Sequence, residues 1–218
     1  MKLSSHDLKD QYPIPPRFAF GQLADDAPMA LSDNVSPHLA WSETPAGTRS
    51  FAILCMDPDV PSTIDDVNQE GKVLSADMAR VDFCHWVMVD VPPTVTELAT
   101  GACGEGIAPG GKQDPPGPAG SRQGINDYTG FMAGNPEMAG QYHGYDGPCP
   151  PWNDELMHRY VFTVYALDVD RLELGDGFTG ADALKAMDGH ILGQASLTGT
   201  YSLNRRTLQR QGAYTLNS

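Results

Sequence analysis

The residues best equipped for chemistry are Asp57, His85 and His158. Each sits near the end of a hydrophobic run: "FAILCMDPDVP" (51–61), "DFCHWVMVDV" (82–91) and "GPCPPWNDELMHRYVFTVYAL" (147–167). Convergent polar side chains on an apolar scaffold are what a small-ligand site needs. Imidazoles donate hydrogen bonds and carry positive charge near neutral pH, and a carboxylate behind them fixes the tautomer and raises basicity. That combination suits an oxyanion. In "GPCPP" only Gly147 and Cys149 own backbone N–H groups, so a main-chain donor on that rim must come from one of them, while Pro150 and Pro151 make a stiff apolar wall.

Other chemistries compete for the same residues. Two His with two Asp suit zinc or iron, but the spacing matches no ligand signature such as H-E-x-x-H. Cys149 and Cys84 are candidate nucleophiles beside His158 or His85; the apolar strand around Cys84 points to a packed, inert thiol. "GEGIAPGGKQ" places Gly106, Gly111 and Lys112 at P-loop spacing, yet Gln113 stands where the magnesium-binding hydroxyl belongs, and the prolines that follow cannot start the required helix. No G-x-S-x-G elbow exists. Plainer roles are also open: Asp59 as an Asx-type turn residue bonding nearby backbone N–H groups, and a lone strand histidine as a hydrogen-bonded core residue.

The positioning elements are strands. Runs 49–56, 82–91 and 159–167 are rich in β-branched and aromatic residues, bounded by Pro, Gly or Asp, and apolar on both faces. Strands buried on both sides imply a central sheet under a second layer, with "HLAWSE" (38–43) and "TGTYSL" (198–203) as sources of that layer. Alternation places Asp57 with Cys55 and Ile53, His85 with Val87 and Val89, and His158 with Tyr160. In "TGADALKAMDGHILGQASL" the apolar residues Ala183, Leu184, Met187, Ile191 and Leu192 recur at helical spacing, Thr179 and Asp182 form a capping-box pattern, and Gly189 splits the segment into two short helices. The Gly/Pro-rich stretch 101–147 has no sustained period; so long a loop in a compact domain is functional or disordered.

The 218 residues suit one domain. Acidic residues outnumber basic ones 28 to 14, giving a net charge of -14 that repels phosphate backbones and anionic membranes, so nucleic acid is not an expected partner. The basic cluster Arg205, Arg206 and Arg210 is read as solvated surface. With no apolar h-region at the start and no apolar run longer than "FAILCM", the expectation is a soluble, cytoplasmic protein without stable membrane insertion. Cys55, Cys84, Cys103 and Cys149, lacking C-x-x-C spacing, are expected as reduced thiols.

Taken in order, "DNVSPHLAWSETPAGTRSFAILCMDPDVPS", "HWVMVDVP", "YDGPCPP", "HRYVFTVYALD" and "HILGQASLTGTYS" resemble the phosphatidylethanolamine-binding protein family, in its bacterial, Raf-kinase-inhibitor-like branch. The resemblance covers roughly residues 14 to 205. It implies a mainly β, sandwich-like domain with a large central antiparallel sheet, a smaller sheet and short helices. It also implies a pocket for small anionic or phosphorylated head groups, without enzymatic activity, cofactor or metal. By motif the ligand-binding residues are Asp57, His85, Cys149, Pro150, Pro151, His158 and Tyr160. Asp59, Pro61 and Gly147 are structural, and the Val60–Pro61 peptide is expected to be cis. Cys149 stands where animal members have glycine, and "RRTLQRQGAYTLNS" does not match the amphipathic helix that covers their pocket. The other functions entertained are a protein-interaction or inhibitor module acting on a kinase or protease, and a small ester or phosphoester hydrolase. A homodimer is also open, and no protein partner is specified.

Overall fold

The computed structural model describes residues 1–212. Eleven strands run in chain order: β1 (Lys2–Ser4), β2 (Tyr12–Pro13), β3 (Gly21–Gln22), β4 (Ala30–Leu31), β5 (Leu39–Ser42), β6 (Ser50–Pro61), β7 (Arg80–Val91), β8 (Glu97–Leu98), β9 (Arg122–Gln123), β10 (His158–Leu167) and β11 (Ile191–Tyr201). Three short helices join them: α1 (Tyr128–Phe131), α2 (Gly180–Met187) and α3 (Arg205–Arg210). The large sheet has the order β2-β11-β10-β6-β7-β9, and smaller sheets are formed by β1-β5-β8 and β3-β4. The architecture is mainly β, as expected, but the large sheet is mixed, because β2 pairs with β11 in parallel. "HLAWSE" supplies the second layer as β5, whereas "TGTYSL" ends β11 inside the large sheet.

Alternation along the strands builds two cores. Phe51, Ile53 and Cys55 of β6, with Tyr160, Phe162 and Val164 of β10, meet Leu39 and Trp41 of β5 and Leu98 of β8. Ala52 and Leu54 face the other way, with Val87 and Val89 of β7, onto Ala183 and Met187 of α2. Each large side chain so buried is worth about 1.5–3 kcal/mol relative to exposure. The capping box of α2 forms as expected: Thr179 Oγ1 accepts from the Asp182 N–H at 3.2 Å and Asp182 accepts from the Thr179 N–H at 2.9 Å. Helix ends there, however. Gly189 takes φ +82° and turns the chain into β11, so Ile191 and Leu192 lie on a strand and not on a second helix. Both are exposed, as is Leu184, and backbone pairing with β10 outweighs their helical spacing.

Two bulges on the inner strands aim the site. Where Cys55 pairs with Trp86 and Met56 with Cys84, β7 holds one extra residue, His85. Where Asp57 pairs with Phe83 and Val60 with Val81, the extra residue lies on β6, beside Pro58. A bulge flips the alternation beyond it. The expected grouping of His85 with Val87 and Val89 is thereby overturned: those valines pack on α2, while His85 turns to the opposite face, its ring centroid 5.1 Å from that of Tyr160. No cis peptide occurs among the described residues, so Val60–Pro61 is trans; Pro61 continues β6 in extended pairing with Arg80. The C-terminal stretch forms α3 up to Arg210, and residues 213–218 of "RRTLQRQGAYTLNS" lie outside the described residues.

Candidate functional site

His158, the first residue of β10, is completely buried and held between two carboxylates. Its Nδ1 donates to Asp57 Oδ2 at 2.7 Å and its Nε2 to Asp154 Oδ2 at 3.1 Å. Burial alone would depress the imidazole, but the bonds to Asp154 and Asp57 outweigh it and raise the pKa to about 9. Asp154 in turn accepts two bonds from Arg80, Nη1 to Oδ2 at 2.5 Å and Nη2 to Oδ1 at 3.0 Å. Against the upward push of burial, the His158 and Arg80 bonds hold the Asp154 carboxyl below its usual range. The result is a buried chain of alternating charge, Asp57, His158, Asp154, Arg80. It leaves His158 with no nitrogen free to donate to a ligand or bind a metal, so its role is to hold Asp57 and supply fixed charge.

Asp57 and Asp59 divide the turn work differently from the sequence expectation. Asp57 makes the Asx-type bond, accepting the Asp59 N–H on Oδ1 at 2.8 Å. Asp59 reaches instead to Arg159, accepting its backbone N–H at 2.9 Å and its guanidinium at 2.8 and 2.7 Å. The bulge beside Pro58 turns the two carboxylates apart, which is why only Asp57 enters the pocket.

His85 is the counterpart on β7. Its Nδ1 lies 2.8 Å from the Asp146 carbonyl, an acceptor only, so Nδ1 carries the proton. Burial holds this imidazole below its ordinary pKa, against the pull of Asp57, the Asp146 carbonyl and Asp127. Asp146 is itself pinned: its carboxylate accepts from Asn34 at 2.7 Å, Lys112 at 2.7 Å and Asn126 at 2.8 Å. The lysine that mimics a phosphate loop in sequence is therefore a half-buried tether for the segment that orients His85.

These walls enclose a cavity of about 340 Å³, also lined by Val60, Val81, Phe83, Tyr128, Phe131, Cys149, Pro150, Pro151 and Tyr160. The structure thus brings together all seven predicted ligand-site residues. Tyr128 spends its hydroxyl on the Gly147 carbonyl at 2.8 Å, while the Tyr160 hydroxyl is fully buried beside Asp57, and burial and that carboxylate both hold it protonated. Gly147 spends its N–H on Asn34 Oδ1 at 2.8 Å, leaving Cys149 as the rim's remaining main-chain donor. A Cβ at Gly147 would stand 2.0 Å from the Phe18 carbonyl, so only glycine fits. The Cys149 sulfur lies 3.8 Å from Met29 Sδ, and burial pushes its thiol up to about 12, which keeps it a weak nucleophile at neutral pH. A wider groove of about 680 Å³ beside Arg171, Asp176 and Lys185 holds no unpartnered buried polar atom among the described residues.

The model of the phosphatidylethanolamine-binding protein family matches residues 4–202. The chain belongs to that family. Among bacterial family relatives, UPF0098 protein YbhB of Escherichia coli is 34% identical over 202 residues, spanning 93% of this chain and all of the relative. The crystal structure of Escherichia coli YbcL, described as a member of the mammalian family, superposes with a TM-score of 0.64 at 27% identity, covering 92% of this chain and 97% of that one. A phosphatidylethanolamine-binding protein homologue from Chlamydia trachomatis gives a TM-score of 0.61 at 29% identity, over 92% and 96% of the two chains.

Sequence reasoning missed four residues that build or line this cavity: Asp154, Arg80, Asp146 and Tyr128. Asp154 carried a signal, an acid four residues before His158 inside the proline-rich stretch. Arg80 and Asp146 gave none, being separated in sequence by 74 and 61 residues from the groups they hold. Tyr128 and Phe131 belong to the Gly/Pro-rich stretch 101–147, read from sequence as functional or disordered, and both line the cavity.

Proposed function

We propose that the protein is a non-enzymatic binding module for a small anionic or phosphorylated head group. The observation that carries this reading is the convergence of Asp57, His85, His158 and Tyr160 from three strands on one cavity whose remaining wall is largely apolar. A hydrogen bond from this wall to a ligand oxygen contributes about 0.5–1.5 kcal/mol. The His158 imidazolium offsets the Asp57 carboxylate in the cavity wall, so that wall is not a bare negative charge in a protein whose overall charge would otherwise repel anions. Ile64, Val81 and Phe131 are exposed at the mouth and offer apolar contact to whatever the head group is attached to. Protein partners and metals play no part in this reading.

The test is calorimetric titration of O-phosphoethanolamine into wild-type protein and Tyr160→Phe. The expected result is saturable binding without phosphate release. In the variant, affinity falls about tenfold, corresponding to roughly 1.4 kcal/mol, while thermal stability is kept. Turnover of the ester, or equal affinity in the variant, would overturn the proposal.

A further inference from the structure

We infer that a second cleft, outside the histidine cavity, binds a small oxyanion of two or more negative charges through Lys72, Trp152, Asn204, Arg205 and Arg206. The cleft has a volume of about 410 Å³ and shares no lining residue with the cavity; the chain crosses from one lining to the other between Pro151 and Trp152. Three segments meet there: 71–73 from the loop after β6, 152–155 ahead of β10, and 203–206 between β11 and α3. Asn153 ties the first two together, its Nδ2 donating to the Asp66 carbonyl at 2.8 Å and the Lys72 carbonyl at 3.3 Å. The Thr207 hydroxyl ties the third, donating to the Glu155 carbonyl at 3.0 Å. The walls are therefore in place before a ligand arrives, which lowers the ordering cost of binding.

The basic cluster read from sequence as solvated surface divides here by partner. Arg210 lies 3.7 Å from Glu155. Arg205 donates to the Ala24 carbonyl, which anchors its guanidinium and leaves its other N–H groups to the cleft. The Arg206 side chain has no partner among the described residues, and Lys72 stands across the cleft, 3.3 Å from Asp66 in an exposed pair. Glu155 is the one carboxylate among the described lining residues, against three cations, so two positive charges are left for a ligand to match. Guanidinium groups suit that ligand because their N–H fork fits two oxygens of one anion.

Neutral donors add an independent indication. Asn204 is only 8% exposed, and its Oδ1 is spent on the Arg206 and Thr207 N–H groups at 3.0 and 3.2 Å. Its Nδ2 has no partner among the described residues; it is not sealed from solvent, and the surface it opens on is this cleft. The half-buried Trp152 likewise keeps an indole N–H without a partner among the described residues. An acceptor oxygen recovers what such donors lose on leaving water. With only six residues, α3 contributes little dipole, so the side chains carry the site. A single-charged anion leaves half the local charge unmatched. A nucleic-acid backbone is excluded by the opposite argument, since the net charge of -14 repels a long polyanion beyond the cleft.

The experiment titrates pyrophosphate, citrate and chloride, at matched ionic strength, into the full chain and follows nitrogen-bound protons by NMR. The Trp152 indole N–H and the Asn204 side-chain amide report on the cleft, and the His85 and His158 rings report on the cavity. Pyrophosphate or citrate is expected to shift Trp152 and Asn204 saturably, and chloride is not; the tighter of the two tells phosphoryl from carboxylate chemistry. Arg206→Gln should weaken that anion about tenfold, the loss of a charge-assisted bond. Lys185→Gln removes the same charge from the exposed face of α2, outside the cleft, and should change affinity less than about twofold, because solvent and salt screen a distant charge. Both positions are exposed, so neither variant threatens the fold. Equal losses in the two variants would reduce the effect to net charge and overturn the inference. So would shifts confined to His85 and His158, or no saturable shift at Trp152 and Asn204 with either oxyanion. The two sites are read by separate signals, so failure of the cleft leaves the cavity assignment standing.

Discussion

The two histidine walls of the cavity are built from the same side chain and behave as opposites. On β10, His158 is completely buried, charged, and bonded through both nitrogens to carboxylates. On β7, His85 is also buried but sits against a carbonyl, with one nitrogen facing the cavity. Environment alone separates them: a charged partner offsets the desolvation of an imidazolium, whereas a neutral acceptor does not. This cavity therefore has one histidine with both nitrogens spent on structure and one with a single nitrogen so spent, which a motif containing two histidines does not distinguish.

The largest effect expected from breaking this contrast is at His158. His158→Ala leaves Asp57 and Asp154 buried beside each other's vacated partner, and a loss of about 3–5 kcal/mol in urea unfolding is expected, against about 1 kcal/mol for His85→Asn. A loss at His158 no greater than at His85 would erase the distinction. The pH dependence has a definite sign. Because the folded pKa of His158 is about 9, above the ordinary 6.5, its contribution to stability is complete below pH 6.5 and is lost as pH rises through 9. Asp154 and Asp59, both lowered, contribute above their ordinary value of 3.8 and lose that contribution as pH falls through their folded values. Imidazole nitrogen signals in NMR should show His158 charged at pH 8 and His85 neutral at pH 6.5.

A smaller effect should sharpen the contrast from the His85 side. Lys112→Met removes the cation on the Asp146 carboxylate and should cost about 1–3 kcal/mol, while loosening the carbonyl that fixes His85 and weakening phosphate binding. Unchanged affinity in that variant would show that the Asp146 segment holds its place without the tether. Smallest of all is a change on the far face of the sheet. Thr179→Ala deletes the cap of α2 and should lower stability by about 1 kcal/mol with phosphate affinity unaltered, since α2 packs on Cys84 and the valines that point away from the cavity.

Much of the scaffold could be read from residue order, because strand identity depends on local composition and a period of two. The runs that became β6, β7 and β10, the cap at Thr179 and the Asp57 face all have local causes. Ile191 and Leu192 misled for the opposite reason: their spacing is helical, but β10 offered an unpaired edge, and Gly189 at positive φ let the chain reach it.

By itself, the sequence determined which side chains end the inner strands, that the chain is acidic and mainly β, and that Pro150, Pro151 and the two histidines stand near a common site. Only the tertiary structure decided what each histidine does. That depends on one bulge residue turning His85 across the sheet, and on Arg80, Lys112 and Asp146 arriving from distant segments. Charge state is set by partners within a few ångströms, and these partners become neighbours only when the chain folds.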